Sequence, residues 1–307
     1  MGTTFSVKVV APPGELDLAE LRQDIESTLE SINNTMSTYR DDSELAQFNA
    51  SSDVDWIEVS ADLCGAVEAA QVVSQFTDGA FDVTVGPLVN LWGFGPSGAV
   101  QEPPSNEQVA AAMANTGYTK LHVDCTVPAL RKETAGVYVD LSAFAKGHGV
   151  DSVAGLLDDR ALPHYLVEIG GELRMRGTNA KGENWAIAIE TPMRTARTVQ
   201  SVVRLTNTAM ATSGDYRNYF EHDGRHYSHT IDPRTGYPVT HNGASVTVIA
   251  ESAAFADAAA TALLVLGPDD GLKLAEQESI AAFFLLRLGT EFEERMSSLF
   301  ATEVLGR

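Results

Sequence analysis

Apolar and polar residues alternate over residues 5–10, which predicts a first strand. Over residues 18–32 the apolar positions recur at helical spacing, the signature of an amphipathic helix. A polar, aromatic-tipped loop, Met36-Ser37-Thr38-Tyr39-Arg40, follows it. A second helix is predicted over 60–76, with Ser60 as N-cap. Residues 77–87 read as turn, strand and break, 93–104 as a long Gly/Pro-rich loop, and 106–113 as a short helix. The second half holds more strands, at 137–141, 165–169, 185–189, 199–205 and 244–249. Helices are predicted after the first and last of these, over 144–157 and 252–266. This is no regular βα alternation, so the pattern predicts an α+β fold rather than a doubly wound sheet. No repeat, low-complexity tract or clean linker divides residues 1–307, which are expected to form a single domain.

Composition narrows the function. The 307 residues are 44% hydrophobic and 21% charged, an ordinary globular balance, and no apolar run reaches membrane-span length. Forty-two acidic residues against 21 basic ones give a formal charge of −21. So acidic a surface repels nucleic acid and anionic lipid, and both are discounted as partners. Cys64 and Cys125 form no CxxC pair, and spacing alone leaves open whether they are bonded. No leader precedes the first strand; a cytoplasmic protein and an exported one whose leader has been removed would both look this way.

Four segments carry candidate chemistry. Asp257 and Thr261 lie four apart in an alanine-rich helix, so carboxylate and hydroxyl share a face. One anionic and one neutral oxygen suit a hard cation such as Mg²⁺, although the spacing alone is weak. In Val139-Asp140-Leu141-Ser142-Ala143-Phe144-Ala145-Lys146-Gly147-His148-Gly149 a predicted strand runs into a helix, a junction that favours anions. There Lys146 is placed to reach a phosphate; alone, Asp140 reads as a turn or cap residue and Lys146 as a solvated lysine. Glu168-Ile169-Gly170-Gly171-Glu172 reads first as a hairpin turn and second as a close backbone approach to a ligand. Ser228-His229-Thr230-Ile231-Asp232-Pro233-Arg234-Thr235-Gly236-Tyr237-Pro238 is dense turn chemistry that would fix the His229 imidazole. Histidine is the commonest general base near neutral pH; the alternative is a histidine packed on a strand end. Tyr216, Tyr219, His222, His226 and Tyr227 around Asp223-Gly224 lack zinc-site spacing and read as hairpin surface.

Taken together, the chain resembles the ApbE family of FAD:protein FMN transferases. The resemblance runs through Gly2-Thr3-Thr4-Phe5, Met36-Ser37-Thr38-Tyr39, Phe81-Asp82-Val83-Thr84-Val85-Gly86-Pro87-Leu88-Val89 and Asp140-Leu141-Ser142-Ala143-Phe144-Ala145-Lys146-Gly147. It continues through Glu168-Ile169-Gly170-Gly171-Glu172, His229-Thr230-Ile231-Asp232-Pro233-Arg234-Thr235-Gly236, Ser245-Val246-Thr247-Val248 and Ala256-Asp257-Ala258-Ala259-Ala260-Thr261-Ala262-Leu263. Several motifs in one order are far more specific than any one of them.

The resemblance implies a T-fold-like arrangement of mixed sheets with packed helices, in two lobes around a flavin cleft. It implies Mg²⁺-dependent transfer of FMN from FAD to a threonine hydroxyl of a target protein, with release of AMP. FAD hydrolysis to FMN and AMP, or flavin storage without turnover, is the rival outcome. Asp257, Thr261 and the Ala143 carbonyl match the family's metal ligands. Met36, Asp78, Gly79, Ala80, Asp140, Lys146 and Ile231 match its flavin-nucleotide contacts, and His229 matches the residue expected to act as base. The implied acceptors are quinone-reductase or Rnf-type redox subunits. The implied location is the periplasm, as an inner-membrane lipoprotein.

Overall fold

A computed structural model describes residues 2–100, 102–193, 198–215 and 219–306. Tyr216, assigned above to a hairpin, lies outside them. The molecule is organised by a seven-stranded sheet of β1 (Phe5–Val9), β2 (Tyr165–Ile169), β3 (Glu172–Arg176), β4 (Thr208–Gly214), β5 (Gly243–Ala250), β6 (Ala281–Leu288) and β7 (Glu291–Met296). Its spatial order follows chain order and every neighbouring pair is antiparallel. The fold is α+β, as the irregular element order predicts.

Strand side chains alternate between two buried faces. Tyr165, Val167 and Ile169 pack towards α1 (Leu18–Met36) and α3 (Ala145–Asp159), the latter labelled after α2 (Ala61–Phe76). Leu166, Leu173, Met175, Phe283 and Leu285 point the other way, onto the hairpin Trp185–Glu190/Val199–Leu205 and Phe300. With both faces covered, β6 shows a continuous apolar run, Ala281 to Leu286 all buried, instead of a polar alternation.

The last long helix, α4 (Ala253–Gln277), lies between cores. Ala258 and Ala262 pack with α2, while Ala256, Ala259, Ala260 and Leu263 pack on the sheet. A helix buried on nearly every side needs small residues to bring its neighbours close, which accounts for the alanine run. Its first helical run stops where predicted. Gly267 adopts φ +81°, and Pro268 opens a second run at a kink.

Three expected boundaries are corrected. Met36 is not in a loop: α1 continues to it, and its side chain is buried. Residues 77–87 contain no strand. Asp82 accepts from Thr84 N, Thr84 Oγ1 and Tyr118 N, which curls the chain into turns before a helix begins at Gly86. Residues 137–141 join no ladder: Asp140 N donates to Val83 O at 2.7 Å, and beside it Val139 is bracketed by the Asn49 amide. That amide donates to Val139 O and accepts from Val139 N, both at 2.8 Å. Cys64 of α2 is disulfide-bonded to Cys125, which follows the strand Leu121–Asp124. Among the described residues no helix is long and apolar enough to cross a membrane.

Candidate active site

A cleft of ≈ 820 Å³ opens over α3, α4 and the ends of β3, β4 and β5. The first turn of α3, the second and later turns of α4 and the start of β3 make its floor. Lys146, on the first turn of α3, places its ammonium 2.6 Å from Glu172 Oε1 and 3.1 Å from Asp257 Oδ1. Glu172 and Asp257 are each 2% exposed. Thr261 follows Asp257 by one helical turn, lines the same cleft, and shares a 2.9 Å hydrogen bond with Ser213 of β4.

The electrostatics follow from two acids and one base in a confined space. Burial works against the Lys146 charge, but Asp257 and Glu172 outweigh it, so its pKa lies above the ordinary lysine value. Burial, and then repulsion from Asp257, push the Glu172 carboxyl up to about 7 against the pull of Lys146. Glu172 Oε2 is buried without a hydrogen-bond partner. A floor with two carboxyls, one ammonium and an unsatisfied carboxyl oxygen is suited to a further cation.

The rim is built from turns and aromatic rings. Asp232 O accepts from Gly236 N at 2.8 Å, and the Asp232 carboxylate takes a two-point contact from the Arg234 guanidinium. Gly236 has φ +81°, and a Cβ there would meet Val109 Cγ1 at 2.7 Å. Trp92 Nε1 donates to Gly236 O, and the indole stacks on Tyr227, which stacks on Phe220. Tyr219, His222, His226 and Tyr227 do lie on a hairpin, and Tyr227 supports the rim from behind through Trp92. His229 leaves this hairpin towards the cleft, its ring edge-on to Phe94 at 6.2 Å.

Eight expected site residues line the cleft: Ala80, Asp140, Ala143, Lys146, His229, Ile231, Asp257 and Thr261. Met36, Asp78 and Gly79 are not among its lining residues. Met36 is in the core, while Asp78 (φ +48°) and Gly79 (φ +75°) form the turn that delivers Ala80. The Asp140 carboxylate holds Ser142 N and Oγ, as the turn reading has it. Sequence reasoning assigned no role to Glu172 or Ser213. Glu172 stood in a quoted glycine motif, whereas nothing marked Ser213 before β4 was seen beside α4.

The ApbE family model matches residues 1–284. The chain belongs to the ApbE family. This ApbE chain is 44% identical over 300 residues to the FAD:protein FMN transferase of Vibrio cholerae serotype O1, covering 98% of the chain and 89% of that protein. The solved flavin transferase ApbE from Vibrio cholerae superposes with a TM-score of 0.90 at 43% identity, over 98% of this chain and 95% of that one. The apo form of the Pseudomonas stutzeri flavinyl transferase ApbE gives 0.90 at 42%, over 98% and 93%.

Proposed function

We infer that this chain is an FAD:protein FMN transferase that moves FMN from FAD to a threonine hydroxyl of an acceptor protein with the help of Mg²⁺. The observation that carries the metal reading is the floor cluster, where Asp257 and Thr261 line one cleft beside a buried, unsatisfied Glu172 oxygen. Among the described residues no three His, Cys, Asp or Glu side chains converge on one point. A mixed set of carboxylate, hydroxyl and backbone carbonyl, from Asp257, Thr261 and Ala143, therefore suits a hard ion better than a soft one. Bound there, Mg²⁺ would offset pyrophosphate charge and stabilise the departing AMP oxygen.

The chain's own residues do the rest. Lys146 adds fixed positive charge beside the anionic dinucleotide, in a protein whose overall charge would repel it. Ala80, Asp140 and Ile231 line the space for the flavin nucleotide, with Met36, Asp78 and Gly79 supporting that wall from behind. His229 takes the proton from the acceptor threonine as its oxygen attacks the FMN phosphorus. The bond from that phosphorus to the bridging oxygen breaks, and AMP leaves. Phosphoryl transfer of this kind needs mainly positioning and electrostatic support.

The Cys64–Cys125 bond supports a periplasmic location, since disulfides persist in oxidising compartments. A lipid anchor on the inner membrane and acceptors among quinone-reductase or Rnf-type subunits belong to the same reading. The test is incubation with FAD, Mg²⁺ and a threonine-bearing acceptor. A covalently fluorescent acceptor that requires Mg²⁺ is expected. Free FMN and AMP at equal rates with and without acceptor would make the chain a hydrolase, and intact bound FAD would make it a storage protein.

A further inference from the structure

The floor is held by two helices that cap each other. Helix α3 has no side-chain cap of its own: Phe144 occupies the N-cap position and makes no capping hydrogen bond. Its third residue, Gly147, instead donates its backbone N–H to Asp257 Oδ2 at 3.1 Å, and Asp257 belongs to α4. The reverse contact is more extensive. Asp151, two turns into α3, accepts from Ala253 N at 3.0 Å, Ala254 N at 3.0 Å and Ser252 Oγ at 2.8 Å. Arg174 Nη1 of β3 closes the set on Asp151 Oδ1 at 2.5 Å. Ser252 in turn accepts from Phe255 N, so the N–H groups of the first three residues of α4 are satisfied.

The two helices meet closely because Gly147 has no side chain. A Cβ there would stand 2.2 Å from Ala253 O and 2.7 Å from Ala254 Cα. Ala253 and Ala254 are the residues whose N–H groups Asp151 holds, and Asp257 lies one turn beyond them. A shift of the first turn of α4 against α3 must therefore move the Asp257 carboxylate against Lys146 and Gly147.

We propose that Asp151 is a positioning residue for the transferase. It is not itself among the residues lining the cleft, but by anchoring the first turn of α4 on α3 it sets the placement of the Asp257 carboxylate. This rests on the metal reading given above. The consequence is specific: loss of Asp151 weakens divalent-cation binding at Asp257, beyond any general loss of stability. Groups that orient a metal ligand from behind are typically worth about 10- to 100-fold in metal affinity.

The experiment is titration of the purified full chain with Mn²⁺ followed by electron paramagnetic resonance, without flavin and again with FAD present. Wild type, Asp151→Asn, Asp151→Ala and Asp257→Ala are compared well below their melting temperatures. Asp151→Asn, which keeps the shape and an acceptor oxygen, is expected to lose about tenfold in affinity, and Asp151→Ala up to about 100-fold. Wild-type Mn²⁺ affinity in a folded Asp151→Ala, whatever its melting temperature, overturns the proposal. Should Asp151→Ala fail to fold, Asp151→Asn decides by the same criterion. If wild type and Asp257→Ala bind Mn²⁺ equally, the metal reading itself has failed and the positioning role falls with it.

Discussion

The floor and the rim of the cleft are built on different principles. On the floor, charged groups sit near the N-terminal ends of two long helices and at the start of β3, and each carboxylate is tied to a backbone N–H or an ammonium. On the rim, turns and stacked rings hold His229 and Ala80, with the charge tied up locally in Asp232–Arg234 and Asp82–Thr84. Charge fixed on helices keeps its geometry when an ion or a phosphate arrives. A rim of turns holds its side chains by local contacts, independently of the two helices. Floor variants should therefore change the metal response, and rim variants the rate without it.

Asp257→Ala should break the contrast most sharply, by abolishing Mg²⁺-dependent turnover in an assay of AMP release. Asp257 also caps α3, so the same change should cost about 1 kcal/mol of stability by urea melt. His229→Ala is the matching rim test. Turnover should fall about 10²- to 10⁴-fold, while FAD affinity from flavin fluorescence and the Mg²⁺ dependence stay as in wild type. A fully active His229→Ala would remove histidine from the role of base.

The structural supports of the two regions can be separated as well. Replacing Cys64 and Cys125 together by alanine should lower stability by about 2–4 kcal/mol in denaturant. Turnover at 25 °C should survive, because neither cysteine lines the cleft. Gly147→Ala should cost about 1–3 kcal/mol through overpacking, yet suppress turnover, because it pries α3 from α4 under Asp257.

The smallest effect concerns pH. Burial holds His148 of α3 below the ordinary histidine pKa, although Asp151 and Asp62 pull the other way. Below about pH 6.5 the unfolded chain takes up a proton that the folded one resists, so stability should fall as pH drops through that value. In His148→Gln, urea melts between pH 7.5 and 5.5 should show a flatter dependence.

Much of this was legible in the chain itself, and the exceptions have local causes. The helix spacing that puts Asp257 and Thr261 on one face depends only on residues four apart, so it survives in the structure as both line one cleft. The strands at 165–169 and 199–205 were equally readable, since their apolar positions carry their own signal. Residues 77–87 and 137–141 look like strands because Val83, Val137, Val139 and Leu141 are buried. One backbone bond, Asp140 N to Val83 O, joins the two segments, and the side chains of Asp82 and Asn49 take up other backbone groups; no periodicity announces a side chain standing in for a strand. Asp151 was invisible for a related reason: its partners lie a hundred residues away in α4. The unpartnered oxygen of Glu172 is likewise a product of packing between β3 and the helix floor.

The most direct test is product-resolved mass spectrometry of one reaction: wild type or Asp257→Ala, FAD, and an acceptor bearing a candidate threonine, with and without Mg²⁺. Wild type with Mg²⁺ should give AMP and FMN-modified acceptor in equal amounts, with the FMN mapped to the threonine. Neither product should appear without Mg²⁺ or with Asp257→Ala. Undiminished flavinylation by Asp257→Ala, or by wild type in the presence of a chelator, would contradict the account.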